Sequence, residues 1–264
     1  MAKLIFIGLG LGDEKGITLK GLEAARSCKS LFMENYTSIL EDGSIPKLEE
    51  MMGKKIRMLN RCDVETGGTV LELAAVETVG FLVPGDAMSA TTHVDMRLRA
   101  CALGIETDVI GGVSAFTAIP AMLGLQNYKF GRTITIPLPE PNYKPTSFFE
   151  RAHENFKLGL HTLCLLDIQQ DKGKYMTANQ ALDILEEIEE ELNCDFMTPD
   201  RLVCVVARAG SKDCLAKAGH LRDMLKQDFG PPLHSIVIPG ELHFLEAKAL
   251  VELAGAPRII LEED

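Results

Sequence analysis

Short apolar runs that stop at glycine or a small residue, spaced by segments of helical periodicity, constrain this chain more than any other feature. "KLIFIG" (3–8), "SLFMENY", "KKIRML", "VGFLVPGD" and "IETDVIGG" are five such runs within about the first 110 residues. Between them lie "ITLKGLEAARSC" (17–28), with Leu19, Leu22 and Ala25 on one face, and "SIPKLEEMMG", with Pro46 in its first turn and Gly53 just past its end. "TVLELAAVE" and "HVDMRLRACALG" complete the series. Parallel strands cannot be joined by tight turns and need crossovers of this length. The pattern predicts a parallel sheet covered on both faces by helices.

The texture changes after Gly111-Gly112. "SAFTAIPAMLGL" predicts a helix interrupted by Pro120, and "RTITIP" a strand that runs into a loop with four prolines between 137 and 145. Alternation then resumes: "HTLCLLDI", a helix over 177–192, "RLVCVVARAG", a helix over 213–226, "HSIVIPG" and a helix over 243–253. A length of 264 residues is natural for two domains. The expectation is an α/β protein of two α/β domains, 1–112 with a parallel sheet and 113–264 with a mixed one.

The bulk composition, 46% hydrophobic and 25% charged, is that of a soluble globular protein. No apolar stretch approaches the roughly 18–20 residues of a membrane span. The opening "MAKLIFIGLGLGDEKG" lacks a long apolar core and a cleavage site, so a cytoplasmic protein without a signal peptide is expected. A net charge of −11 argues against direct nucleic-acid binding, which needs a basic surface. The seven cysteines (28, 62, 101, 164, 194, 204 and 214) contain no C-x-x-C pair and read as free, buried thiols rather than a metal or redox site.

In open α/β sheets ligands bind beyond the carboxyl ends of the strands. The first strand ends in "IGLGLGD" (7–13), where glycines let a backbone turn tightly. It is not a dinucleotide fingerprint, because Asp13 stands where the third glycine would fall. The fourth strand ends in "PGDAMSATTH": Asp86 is placed to accept hydrogen bonds from a polar ligand, or else Asp86 or Ser89 caps the next helix. His93 in the same stretch reads equally as a helix-start residue or a catalytic one. "IGGVSAFTA" repeats the theme of glycine followed by small and hydroxyl residues. There is no G-x-S-x-G elbow, H-E-x-x-H or P-loop. Backbone and small residues suit a bulky, flat, polar cofactor that brings its own reactivity.

With these motifs in place, the chain resembles the tetrapyrrole-methylase superfamily of S-adenosylmethionine-dependent methyltransferases. The resemblance rests on "IGLGLGDEKGITLKGLEAARSC", "PGDAMSATTH", "ENYTS", "GLQNYKFGRTITIP", "SFFERAHENFKLGLHTLCLLDI", "VARAGS" and "PLHSIVIPGELHFLEAKAL". It runs nearly end to end and is nearest to the branch that modifies translation elongation factor 2. It implies a homodimer whose two domains hold S-adenosyl-L-methionine in the cleft between them, releasing S-adenosyl-L-homocysteine. It also implies successive methylation of the amine of a 3-amino-3-carboxypropyl group on a modified histidine of that factor. The cofactor contacts it implies are Leu9, Asp86, Ser89, Ser114, Ala115, Leu166, Ala209 and His234. Ala87, where proline is common, and Ser89, where an apolar residue is common, depart from the pattern. No general base and no metal are implied. The competing readings are a methyltransferase acting on a tetrapyrrole and a non-catalytic nucleotide-binding protein. An NAD-dependent oxidoreductase would rest on the glycine-rich turn and fold analogy only.

Overall fold

In the computed structural model, which describes residues 2–34, 36, 38–139 and 144–262, the first apolar runs become strands. β1 (Lys3–Gly8) leads through α1 (Leu19–Ser27) to β2 (Ser30–Glu34), then through α2 (Ser44–Met52) to β3 (Ile56–Leu59). Two short helices, α3 (Arg61–Thr66) and α4 (Gly68–Ala74), lead to β4 (Thr78–Val83), and α5 (His93–Ala102) leads to β5 (Thr107–Ile110). The five strands form one sheet in the order β3-β2-β4-β1-β5, and every pairing is parallel. Because successive side chains point to opposite faces, alternate residues feed two cores. Leu4, Phe6, Phe32, Phe81 and Val83 enter one. Ile5, Ile7, Leu31, Met33 and Leu82 enter the other. Phe6 lies opposite Phe81 in register, with their rings edge to face at 5.7 Å.

Local signals explain where helices start and stop. Thr18 accepts a hydrogen bond from the Gly21 amide and so caps α1, and Gly53 closes α2 in the left-handed conformation that glycine adopts without strain. One expected face is corrected: Leu19 is 81% exposed. α1 meets the sheet through Gly21, where even a Cβ would lie 3.2 Å from Ile7, so its buried stripe runs through Gly21 and Ala25. Leu19, two residues earlier, lies on the opposite side of a helix of about 3.6 residues per turn.

α6 (Ala115–Leu123) continues through Pro120 instead of breaking there. Proline has no amide to offer the Phe116 carbonyl; the Asn127 side chain donates to that oxygen at 2.9 Å instead. Then follow β6 (Ile134–Ile136), α7 (Ser147–Lys157) and β7 (Thr162–Leu166). Residues 140–143 of the proline-rich stretch lie outside the described residues. Next come the two-residue strands β8 (Ile168–Gln169) and β9 (Lys174–Tyr175), then α8 (Ala178–Leu192) and β10 (Leu202–Ala207). β11 (Leu215–His220), α9 (Leu221–Met224), β12 (His234–Ile238) and α10 (Phe244–Ala254) complete the chain. The second large sheet has the order β11-β10-β12-β7-β6 and is mixed: only β6 and β7 run parallel.

The helix expected over 213–226 is therefore overturned. Residues 215–220 pair antiparallel with β10 along its whole length, and only 221–224 are helical. The leucine and alanines of this segment favour a helix locally, but the ladder offered by β10 decides its conformation. α3 and α7 were not anticipated either.

Contacts within the chain define two units. One holds the chain up to Ala115 with Gln169–Gly173 and Gly210–Lys212; the other holds Phe116–Ile168, Lys174–Ala209 and the residues from Asp213 onward. Among the described residues no helix is long and apolar enough to cross a membrane. All seven cysteines are free, but the expectation that they are buried holds fully only for Cys28, Cys164 and Cys204; Cys62 and Cys101 are exposed.

Candidate functional site

The carboxyl ends of β1, β4 and β5 meet as bare backbone. Gly10 and Gly85 exchange amide–carbonyl hydrogen bonds of 3.0 and 2.7 Å, and the Leu9 amide donates to the Val83 carbonyl at 2.8 Å. A Cβ on Gly8 would stand 2.5 Å from the Gly112 nitrogen, and one on Gly112 would stand 2.3 Å from the Gly85 oxygen. These glycines are demanded by the close approach of three strand ends. Leu9 is buried beneath them.

Asp86 begins the loop after β4 and ties this junction together. Its Oδ1 accepts from the Met88 amide at 3.0 Å and from the Ser89 hydroxyl at 3.0 Å; its Oδ2 accepts from the Gly112 amide at 3.1 Å. Asp86 and Ser89 therefore touch, and Asp86 also reaches the loop after β5. Neither caps α5, whose N-cap is Thr92 with no side-chain bond. A carboxylate offers roughly four acceptor positions, so Asp86 keeps room for one ligand donor. Ser114 and Ala115 lie where the irregular stretch 111–114 meets the first turn of α6, both half-buried.

His93, at the start of α5, is 1% exposed. Its Nδ1 lies 3.0 Å from the Ala87 carbonyl, which assigns the proton to Nδ1 and leaves the Nε2 lone pair buried with no partner. Burial lowers its pKa, opposed by the Ala87 bond and by the charge of Glu34. Glu34, the last residue of β2, has no exposed surface and accepts from the Tyr36 amide at 3.0 Å.

The other expected contacts lie in the second unit and gather along one edge of its sheet. Leu166 ends β7, Ala209 follows the end of β10, and His234 begins β12, which runs antiparallel to both neighbours. Ala207 is the register partner of His234, and Leu165 that of Ser235. The His234 ring is fully engaged: Nδ1 accepts from the Ala178 amide at 3.0 Å, and Nε2 lies 3.0 Å from the Pro231 carbonyl, to which it donates. Burial lowers its pKa and favours this neutral form. Beside it, Arg208 adopts a left-handed backbone (φ 52) that is strained for a residue other than glycine. Its guanidinium donates to the carbonyls of Phe229, Pro231 and Asp213. Arg208 and the His234 ring thus brace the loop that flanks Ala209.

Sequence reasoning missed Arg208, Glu34 and the polar role of Tyr36. A lone arginine after a strand carries no local signal, and the "ENYTS" stretch shows its chemistry only once Glu34 is seen to be buried. Among the described residues no three His, Cys, Asp or Glu side chains converge as a metal site.

Residues 3–224 match the family of tetrapyrrole (corrin/porphyrin) methylases. The chain belongs to that family and is a methylase. Its relatives are more particular. It is 47% identical over 266 residues to the diphthine synthase of Methanosarcina acetivorans, covering 98% of this chain and 99% of that protein. It is 43% identical over 259 residues to the diphthine synthase of Methanothermobacter thermautotrophicus, covering 98% of each. A crystal structure of a diphthine synthase superposes with a TM-score of 0.87 at 37% identity, over 98% of both chains.

Proposed function

We propose that this methylase is a diphthine synthase. It transfers methyl groups in succession from S-adenosyl-L-methionine to the amine of the 3-amino-3-carboxypropyl group on a modified histidine of translation elongation factor 2. The observation that carries this reading is identity of 42–47% to diphthine synthases over nearly the whole chain. The strand-end residues support the cofactor: they offer backbone groups, small side chains and one carboxylate with an acceptor position left. Leu9, Asp86, Ser89, Ser114, Ala115, Leu166, Ala209 and the backbone of His234 are the residues we propose to hold it.

The cofactor supplies an electrophilic methyl group on a sulfonium sulfur. The protein's part is to align the amine and to keep the site dry. Each methyl group added to a protonated amine requires the loss of one proton. An α-amino group titrates near pH 8, so an appreciable minority is neutral without help. Acting on elongation factor 2 places the reaction in the cytoplasm, and a two-fold homodimer, the commonest symmetric assembly, is the expected form.

Mass spectrometry tests the reaction. Elongation factor 2 bearing the unmethylated modified histidine should gain steps of about 14 Da, the mass of CH₂, on that residue alone. No gain, with cofactor binding confirmed in the same sample, would turn attention to tetrapyrrole substrates. Asp86→Ala should weaken cofactor binding by about tenfold, the scale of one hydrogen bond to a charged group together with the loosened Gly112 loop. Calorimetry with an unchanged Kd would remove Asp86 from the site.

A further inference from the structure

Resting on that reading, we infer that Arg208 is a positioning residue for the cofactor: its side chain ties the turn that carries Ala209 to the segment that leads into His234, and so fixes the backbone that both offer. Ala207 and Leu215 are the last register pair of β10 and β11, so residues 208–214 form the turn between those strands. Residues 229–233 lead into β12, whose first residue, His234, is the register partner of Ala207. Arg208 stands where the two stretches meet, and its amide donates to the Leu233 carbonyl at 2.7 Å.

The guanidinium holds both stretches at once. Nη1 donates to the Phe229 carbonyl at 2.8 Å and to the Pro231 carbonyl at 2.6 Å. Nη2 donates to the Asp213 carbonyl at 3.1 Å, and the Asp213 carboxylate lies 2.6 Å from Nε. A Cβ on Gly230 would stand 3.2 Å from Nη1, so the segment lies close against the cation. The Pro231 carbonyl also accepts from His234 Nε2, and this one oxygen joins Arg208 to the ring of a proposed cofactor residue. The Arg208 side chain is only 15% exposed; hydrogen bonds from a charged donor shielded from water are among the stronger ones. A planar fork of five donors can fix several carbonyls relative to one another, which a compact ammonium cannot.

The backbone gives a second, independent sign. Besides glycine, the described residues with positive φ are Ala90, Asn193, Asp195 and Arg208. Asparagine and aspartate tolerate that conformation. Alanine and arginine do not, and each adjoins a proposed cofactor contact: Ala90 follows Ser89, and Arg208 precedes Ala209. Such strain persists only where the surroundings over-determine it, and it gathers at ligand clamps. Gly210 is left-handed too (φ 86), so Ala209 lies between two such residues. At Arg208 the grip on 213 and 229–231 supplies the over-determination. A site made of backbone depends on it, because a loose turn has to be ordered each time the cofactor binds.

Arg208→Gly tests this by removing the grip and relieving the left-handed strain together. Calorimetry of the full chain with S-adenosylmethionine should show Kd raised about tenfold or more. In methyl transfer to elongation factor 2 bearing the unmethylated modified histidine, KM for the cofactor should rise by a similar factor, and KM for the protein substrate should stay within about twofold. The melting temperature should fall as the two stretches lose their tie; a merely structural role would lower it without changing the affinity of the folded molecules. Arg208→Lys should recover only part of the affinity. Asp213→Asn deletes one charge of the grip, keeps the arginine, and reads the same effect where Arg208→Gly fails to fold; it should raise the cofactor Kd about two- to threefold. A wild-type cofactor Kd in either variant, or a rise in KM for the protein substrate equal to that for the cofactor, would overturn the inference and leave the proposed function intact. A wild-type chain that binds no S-adenosylmethionine would remove the reading and the inference together.

Discussion

The two sheets build their strand ends in different ways. In the first unit all five strands run the same way, so three strand ends converge and must pass one another as bare backbone, at Gly8, Gly10, Gly85 and Gly112. In the second unit β12 runs against β7 and β10, so its amino end lies beside their carboxyl ends. That edge is braced by side chains that grip carbonyls, Arg208 and His234 foremost. A parallel junction is specified by the absence of side chains, and an antiparallel one by particular polar side chains. The first is unforgiving of added volume, and the second of lost partners.

The largest expected effect tests the first half of that contrast. Gly112→Ala places a methyl group 2.3 Å from the Gly85 oxygen and 2.9 Å from the Gly10 nitrogen, all of it backbone that cannot swing aside. The expected cost is about 3 kcal/mol or more, at or beyond the upper end for overpacking. Urea unfolding with a wild-type midpoint would break the view of this edge as a backbone junction.

A comparable loss is expected in the second unit from a deleted charge. Glu246 has no exposed surface; it accepts from the Gln126 and His243 amides, pairs with Lys129 at 2.7 Å and lies 3.1 Å from His161 Nε2. Glu246→Gln should cost about 3 kcal/mol, the low end for breaking a buried pair. Burial alone would raise the Glu246 pKa, but Lys129, the two amides and His161 outweigh it and bring it from 4.5 to about 2. A carboxylate whose folded pKa is lowered stabilises the fold above its unfolded pKa, and that contribution fades as the proton binds the folded state. The wild type should therefore lose stability as pH falls from about 4.5 towards 2, and Glu246→Gln should show a shallower decline. Parallel acid curves for the two proteins would show that the carboxylate does not hold this hub.

The smallest expected effects sharpen the comparison by showing where the two units behave alike. Thr18 caps α1 in the first unit, and Thr177 caps α8 in the second by a reciprocal bond with Gln180. Replacing either by alanine should cost about 1 kcal/mol. Thermal unfolding that separated the two widely would mean that one helix start depends on contacts beyond its cap.

Much of this was legible because it is local. Pro46 and Gly53 marked the start and end of α2, and the apolar runs marked all five strands of the first sheet. The segment 215–220 was not legible, since its leucine and alanines suit a helix and only β10 makes it a strand. Leu19 showed a helical period but not which side of α1 the sheet would take. At the site, Asp86 and Ser89 were singled out from spacing, yet their bond to one another and the reach of Asp86 to Gly112 needed β4 and β5 to be placed. Arg61 and Tyr36 are 25 residues apart and meet only because β2 and β3 are neighbours.

By itself the sequence determined the alternation of strand and helix, the glycine-lined strand ends and membership in a methylase family. These depend on periodicity, on backbone freedom and on motifs that are contiguous in the chain. Tertiary structure alone decided that β11 is a strand, that both nitrogens of the His234 ring are occupied by backbone, and that the Glu34 carboxylate is buried. Each of those depends on a partner distant in sequence, and a local pattern carries no information about which partner arrives.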